Sequence, residues 1–431
     1  MEPNRRTFLK SSVLAASAAS LPVISSAQAA GSATIKVALV GCGGRGTSAC
    51  KQILNNPGVE VVALADAFAP SLQHCLNALN ATGKGQGSSV NVPAERQFTG
   101  LDAYKKAIDA CDLVMLTTPP GFRPKHFAYA VEKGKHVFME KPVATTADGV
   151  RIVLEAAKAS KAKNLKVVVG FQRRFDPTYI ETRKKLQEGL IGDVISAQVH
   201  WMGGGLWVRG RETGDTEFQY QCRNWFYFDY IGGDGIVEQH IHNIDVANWW
   251  IGDVPDRAYG TGGRSIRIGK QFGNIYDHFA TEFTYPKGIV VNSFWRHHDG
   301  TQNRVGELLL CTKGRASAGI IWDLDGKEIW KYQGPRPDPY QTEQNALIEA
   351  IRGNKDINLA EDAANSTMTA ILGRMACYSG NNIPWSRAIK AEDKMVPDAD
   401  DFAADVPCKP GPDGMYPTAI PGKYNPFKPL G

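Results

Sequence analysis

The sequence predicts an α/β chain of two domains, a parallel doubly wound sheet followed by an α+β domain with an open, mainly antiparallel sheet. Three observations carry this. The 431 residues exceed what one ordinary core accommodates. From Ile35 onward, short apolar runs alternate with helical periodicity, the pattern of parallel strands joined by crossover helices. Beyond Arg173, strand-like runs follow one another across turns, which favours antiparallel pairing. The first domain is assigned to residues 34–165 and the second to 166–390.

The composition, 43% hydrophobic and 22% charged, is that of a soluble globular protein. The net charge of +5 is small, and no basic stripe with interleaved aromatics is present, which excludes nucleic acid as an expected partner. Eight cysteines are scattered without a CxxC or metal-like spacing. Cys42, Cys50, Cys111, Cys311 and Cys377 lie in apolar or helical contexts, so free buried thiols are expected.

Residues 1–29 read as a targeting segment rather than part of the fold. Arg5 and Arg6 precede Phe8 and Leu9, an alanine-rich run follows, and Ala27-Gln28-Ala29 closes it with small residues suited to signal peptidase. The run is short and serine-rich for a membrane span. The arginine pair resembles a twin-arginine export signal, with Asn4 where serine or threonine is usual. That resemblance implies a periplasmic or other extracytoplasmic protein, folded before export with its cofactor inside, and no stable membrane insertion after processing. No other stretch is long and apolar enough to cross a bilayer.

The strand over Ile35–Val40 runs into Gly41-x-Gly43-x-x-Gly46, with Gly44 and Arg45 inside the loop. Such spacing suits a dinucleotide: the first glycine permits a tight turn, the second a close pyrophosphate, the third close helix–strand packing. The helix that follows offers free amides to phosphate. A second strand, "VEVVALAD", ends at Asp66, about 20 residues on, where a carboxylate grips a ribose 2′-hydroxyl. A carboxylate there repels a 2′-phosphate, so NAD is favoured over NADP. Arg45 is placed to stack on adenine or meet a phosphate. The alternation continues through "CDLVMLTTPP", which ends at Thr117, Thr118 and Pro119, and through "HVFMEKPVA". Residues 81–95 read as a polar surface loop.

Lys141, in "MEKP", ends a parallel strand and so points into the crevice where such sheets bind ligands. Its ammonium can donate to a hydroxyl and stabilise a developing alkoxide. The alternative for a bare Lys-Pro is a surface lysine. Together Gly41-x-Gly43-x-x-Gly46, Asp66 and Glu140-Lys141-Pro142 resemble the Gfo/Idh/MocA family of glucose–fructose oxidoreductase and inositol dehydrogenase relatives. The resemblance implies a Rossmann domain, a second domain with an open sheet, C-terminal helices returning to the first domain, and a homo-oligomer. Tyr340–Leu372 is read as those returning helices, and 391–431 as a Pro/Gly-rich tail, either disordered or laid over the body.

The stretch "GIVEQHIHNIDVANWWIG", residues 235–252, raises a separate question. On a continuous helix Glu238, His242 and Asp245 are spaced four and three and share a face that His240 does not. Such a set is sparse for zinc, so no metal is assigned. A core histidine with helix-face carboxylates is the structural alternative. The same spacing resembles the family's acid, histidine and aspartate positions, with Glu238 where aspartate is usual and His240 where glycine is common. The reading is therefore catalytic: His242 as base, Glu238 holding its imidazole, Lys141 favouring the alkoxide, and Asp245 binding neighbouring hydroxyls. Arg173, in "GFQRRF", is expected at the cofactor ribose or the substrate, and Glu140 at the cofactor.

The function this predicts is hydride transfer between a tightly held nicotinamide and a carbinol of a sugar, glycoside or cyclitol. A redox-neutral glycoside hydrolase working by oxidation, elimination and reduction is the alternative, since an exported enzyme meets no free nicotinamide pool. A non-catalytic binding or sensor protein is the third reading, and intact Lys141 and His242 count against it.

Overall fold

The computed structural model describes residues 34–393 and 395–427. The export-signal reading of residues 1–29 therefore lies outside the described residues. The first domain runs β1 (Ile35–Val40), α1 (Gly44–Leu54), β2 (Val59–Asp66), α2 (Ala69–Asn80), α3 (Ala103–Asp109), β3 (Leu113–Leu116), α4 (Arg123–Glu132), β4 (His136–Met139), α5 (Ala147–Ala162) and β5 (Val167–Val169). Its strands pair in parallel in the order β2-β1-β3-β4-β5, with short strands Ser89–Val90 and Gln97–Thr99 beside β2. All of β3 and all of β1 except Lys36 are buried, as expected where helices cover both faces. The chain reverses direction across the sheet between β1 and β3, which opens a crevice at their C-terminal ends.

Pairing of β5 with β4 corrects the domain boundary drawn between 165 and 166: the first sheet continues to Val169. "LKVVVG" reads equally well as the last strand of one domain or the first of the next, and only the partner strand decides.

The second domain begins with α6 (Pro177–Gln187) and β6 (Val194–Gly203), continues through α7 (Gly235–Glu238) and α8 (Ile241–Ile251), and then runs β7 (Arg257–Gly263), β8 (His278–Thr284), β9 (Val290–His297), β10 (Arg304–Cys311), β11 (Gly314–Ser317), β12 (Ile320–Asp323) and β13 (Glu328–Lys331). With β14 (Ile383–Pro384) these form a nine-stranded sheet in the order β13-β12-β11-β10-β6-β9-β8-β7-β14. Pairing is antiparallel except between β6 and β9. Succession along the chain could not reveal that exception, because β6 inserts between strands formed much later.

The expected helical stretch from Tyr340 divides into α9 (Pro339–Gly353) and α10 (Ala360–Ser379), separated where Asn354 adopts a left-handed cap with φ 46°. Both helices return. Leu347 and Ile348 of α9 join the core around β1 and α1, and α10 packs between α5 and β7. The described part of the tail lies over the body. Val406, Cys408 and Tyr416 are buried with Phe218, Phe226 and Phe228, and Gln221 Nε2 donates to the Cys408 carbonyl at 2.7 Å. All eight cysteines are buried and unpaired. Among the described residues no helix is long and apolar enough to cross a membrane.

Candidate active site

The glycine loop does what each glycine's position requires. Gly41 has φ +100, and a Cβ there would meet the Thr118 amide nitrogen at 2.6 Å. At Gly46 a Cβ would sit 2.1 Å from the Gly41 carbonyl, so α1 approaches β1 only because that side chain is missing. Around Gly43 and Gly44 nothing lies within 4 Å of such an atom, and both face the cleft. Helix α1 starts without a side-chain cap and with no acidic residue in its first turn, which leaves its amides for an anion. Asp66 accepts from the Cys42 amide at 2.7 Å through Oδ2 and from the Phe68 amide at 2.8 Å through Oδ1. Burial pushes its carboxyl up from the usual range, and it remains on the cleft wall. An uncapped helix end, open space above two glycines and a carboxylate one strand away together fit a dinucleotide.

The opposite wall carries Thr117, Thr118 and Pro119. Thr117 Oγ1 donates to the Gly41 carbonyl at 2.6 Å, tying β3 to the glycine loop. Arg123, which the sequence reading did not single out, is almost completely buried and donates to the carbonyls of Thr118 and Pro142. It therefore fastens the ends of β3 and β4 together beside Lys141. Desolvation pushes its pKa down to about 10.

Arg45 lines the cleft but is not free to follow a ligand. Its Nε donates to Glu140 at 2.5 Å, its Nη2 reaches Glu343 of α9 at 3.1 Å, and its guanidinium lies 4.7 Å from the Tyr340 ring centroid. Burial, and then the neighbouring Glu140, hold the Glu343 carboxyl well above its ordinary range. Glu140 is thus an anchor for Arg45 at the cleft edge.

Lys141 Nζ donates to the Glu238 carboxylate at 2.9 Å and to the Glu238 carbonyl at 2.6 Å. This corrects the role read for Glu238, which grips Lys141 and not the imidazole. The expected continuous helix is broken at Gln239 and His240, between α7 and α8, so residue spacing across it does not set a shared face. His242 lines the same cleft as Lys141 and Glu238, stacked 5.8 Å from Trp201 and edge-on to Phe171 at 6.2 Å. Its Nδ1 is buried without a hydrogen-bond partner. Burial, followed by the charges of Lys141 and Arg173, pushes its pKa well below the ordinary value.

Two further site expectations are corrected. Asp245 is turned away from the cleft and held by Arg174 through Nε at 2.9 Å and Nη2 at 2.8 Å, with Ser366 donating at 2.7 Å. Bound to Arg174 and Ser366 and absent from the cleft wall, this carboxylate is not placed to meet a sugar there. Arg173 is paired with the buried Glu307 and does not line the cleft. His240 is fully buried, its Nε2 2.8 Å from Ser293 Oγ, and lies outside the cleft. The cleft measures about 1250 Å³, above the roughly 300–1,000 Å³ common for single small ligands, and its outer wall includes Trp207 and Trp225. Trp207 in "GGGLWVRG" was a signal available in the sequence, as a tryptophan in a glycine-rich loop.

A Rossmann domain with this glycine loop, joined to an open-sheet domain that completes the cleft, defines a two-domain dinucleotide-dependent oxidoreductase architecture. The chain belongs to the GFO/IDH/MocA oxidoreductase family: residues 35–171 match its NAD-binding Rossmann domain and residues 179–317 its C-terminal domain. It is similar to an inositol 2-dehydrogenase of Rhizobium meliloti, 27% identical over 245 residues, or 57% of this chain and 63% of that one. The chain thus spans less than two thirds of that relative's length. In fold it resembles scyllo-inositol dehydrogenase from Lactobacillus casei, solved with NAD(H) and scyllo-inositol (TM-score 0.61, 20% identity, 82% of this chain and 99% of that one). It likewise resembles an aldose-aldose oxidoreductase from Caulobacter crescentus (TM-score 0.64, 17% identity, 81% and 99% covered).

Proposed function

We propose that the protein is an NAD-dependent oxidoreductase that transfers a hydride between a tightly held nicotinamide and a carbinol carbon of a sugar, glycoside or cyclitol. The observation that carries this reading is the meeting of Lys141 and His242 in the cleft that also holds the glycine loop and Asp66. The similarity to an inositol 2-dehydrogenase supports a polyhydroxylated substrate.

The glycine loop, the start of α1 and Asp66 would hold the dinucleotide, with Thr117, Thr118 and Pro119 on the facing wall. Bound NAD⁺ supplies the hydride acceptor. His242 takes the substrate hydroxyl proton: its lowered pKa keeps the imidazole neutral and able to accept. Lys141 donates to the substrate oxygen, and Glu238 holds that ammonium in place. Arg123 positions Lys141 through the neighbouring Pro142 carbonyl. Trp201 and Phe171 confine the His242 ring, and the charge of Arg173 acts on it from outside the cleft lining.

The test is mass spectrometry of the cofactor released from purified protein, with product analysis over a panel of polyols, cyclitols and glycosides. Net NADH with an oxidised product supports a dehydrogenase. Glycoside cleavage without net NADH supports the redox-neutral alternative, and neither product with any member of the panel overturns both.

We further propose export through the Arg5–Arg6 segment, tested by fractionating cells that express the doubly lysine-substituted chain. A homo-oligomer is proposed through the solvent face of the nine-stranded sheet, where Tyr259 and Leu310 are exposed. Sedimentation tests that assembly.

A further inference from the structure

Outside the cleft, Asp277, His278 and His298 bring three ligand-type atoms within 4.8 Å of one another, and no other such cluster occurs among the described residues. We propose that they bind a divalent transition ion, with zinc the ion they fit best. Asp277 is fully buried just before β8. Its Oδ1 lies 2.8 Å from His278 Nδ1, 3.2 Å from His298 Nε2 and 3.3 Å from Ser265 Oγ. Ser265 Oγ is also 3.2 Å from His298 Nε2.

Hydrogen bonding alone explains this crowding poorly, because a carboxylate oxygen offers two lone-pair directions and three groups converge on this one. The 3.2 Å between Oδ1 and His298 Nε2 is close to the edge, about 3.3 Å, of a tetrahedron around an ion bonded at about 2.0–2.1 Å, and His278 Nδ1, at 2.8 Å, would move out by about half an ångström to complete it. The second oxygen, Oδ2, accepts the amides of Ser265 at 2.8 Å, Ile266 at 2.7 Å and Arg267 at 3.0 Å. The carboxylate is therefore oriented before any ion arrives, the outer support that ligating carboxylates receive. The nearby cation does not compete, since the Arg267 guanidinium turns to the Tyr276 carbonyl and to His297 Nδ1.

Spacing between the imidazoles is set by the ladder. His278 opens β8 opposite Arg296, and His298 follows β9 by one residue, so the two rings come from adjacent antiparallel strands. The His278 and His298 side chains keep 42% and 23% of their surface in solvent, which gives an ion an entry path and a coordination position for water. Two imidazoles and one carboxylate suit zinc better than calcium or magnesium, which take oxygen ligands. An ion here would also steady the cleft. The His298 amide donates to Gly203 at 3.0 Å, and Asp299 accepts from the Gly205 amide at 2.8 Å, so the site fastens the base of the segment that carries Trp207.

The test is calorimetric titration of untagged, chelator-stripped protein with zinc chloride, for the wild type and for His278→Ala and His298→Ala. The wild type should take a single zinc per chain. Loss of an outer support already weakens metal sites about tenfold or more, so loss of a ligand should weaken this one at least as much. Zinc should raise the melting temperature of the wild type and not of the variants. Neither histidine lines the cleft, so retained NAD binding reports that the variants are folded. Absence of stoichiometric zinc binding by the wild type, or undiminished binding by both folded variants, would overturn the proposal.

Discussion

Lys141 Nζ donates to Glu238 twice, at 2.6 Å to its carbonyl and at 2.9 Å to its carboxylate. One partner belongs to the first domain and the other to the second, so the ammonium is held across the cleft that the two domains form.

Replacing Lys141 with Met should leave NAD affinity nearly unchanged and slow hydride transfer. Its charge matters most as the alkoxide develops, and losing one such donor costs about 3 kcal/mol, roughly a hundredfold in rate. NAD titration and single-turnover reduction measure the two quantities separately. A lysine used mainly for cofactor phosphates would instead weaken NAD binding first.

Glu238→Gln tests what the carboxylate holds. If it positions Lys141, the variant should lower kcat about tenfold without moving the acid limb of the pH–rate profile, which belongs to His242. A shifted acid limb would return Glu238 to the imidazole.

His242→Ala should lower the oxidation rate by about a hundredfold to ten-thousandfold. His240→Ala should act on stability. It removes a buried partner of Ser293, costing about 2 kcal/mol, while turnover per folded molecule stays close to wild type. Melting curves and rates normalised to folded protein distinguish the two.

Asp66→Ser removes the charge that a 2′-phosphate would meet. Affinity for NADP relative to NAD should rise about tenfold or more, read by competitive binding of the two dinucleotides. An unchanged ratio would show that Asp66 serves only the Cys42 and Phe68 amides.

Acid should destabilise the fold below the ordinary histidine pKa. Burial lowers His126, His240 and His297 to about 3 and His136 and His200 to about 4. Between about pH 6.5 and those values the unfolded chain binds protons that the native one refuses, so stability falls as pH falls. The buried Asp234, raised to about 6, works in the opposite sense below that pH, as do Asp66, Glu307 and Glu343, whose carboxyls burial also raises. Melting temperatures from pH 7 to 4 should therefore decline, since these five histidines, joined by His242, outnumber the four raised carboxyls.

Local geometry was the legible part of the site. The turn at Gly41, the open space at Gly43, the close packing at Gly46 and the place of Asp66 on the cleft wall follow from a strand, a turn and a helix close together in sequence, and the place of Lys141 in the cleft from its position at a strand end. The failures share a cause in distant partners. Asp245 shares a helix with His242, but Arg174, 71 residues away, claims both its oxygens. Arg45 meets Glu343 across 298 residues, a contact that no periodicity announces. Glu238 and His242 reach the same cleft without sharing an unbroken helix, because the chain turns at Gln239 and His240, and Glu238 bonds Lys141 there instead of the imidazole. The fold was legible at the level of layers, and its one parallel pair in the second sheet was not.

The central claim is direct hydride transfer beside Lys141 and His242, and isotope tracing tests it most directly. Protein carrying its own cofactor is mixed with an accepted polyol or glycoside deuterated at the carbinol carbon and quenched within the first turnover. Deuterium should appear on the reduced nicotinamide in the wild type and about a hundredfold more slowly in Lys141→Met. Substrate consumed while the cofactor stays oxidised and unlabelled would contradict the account.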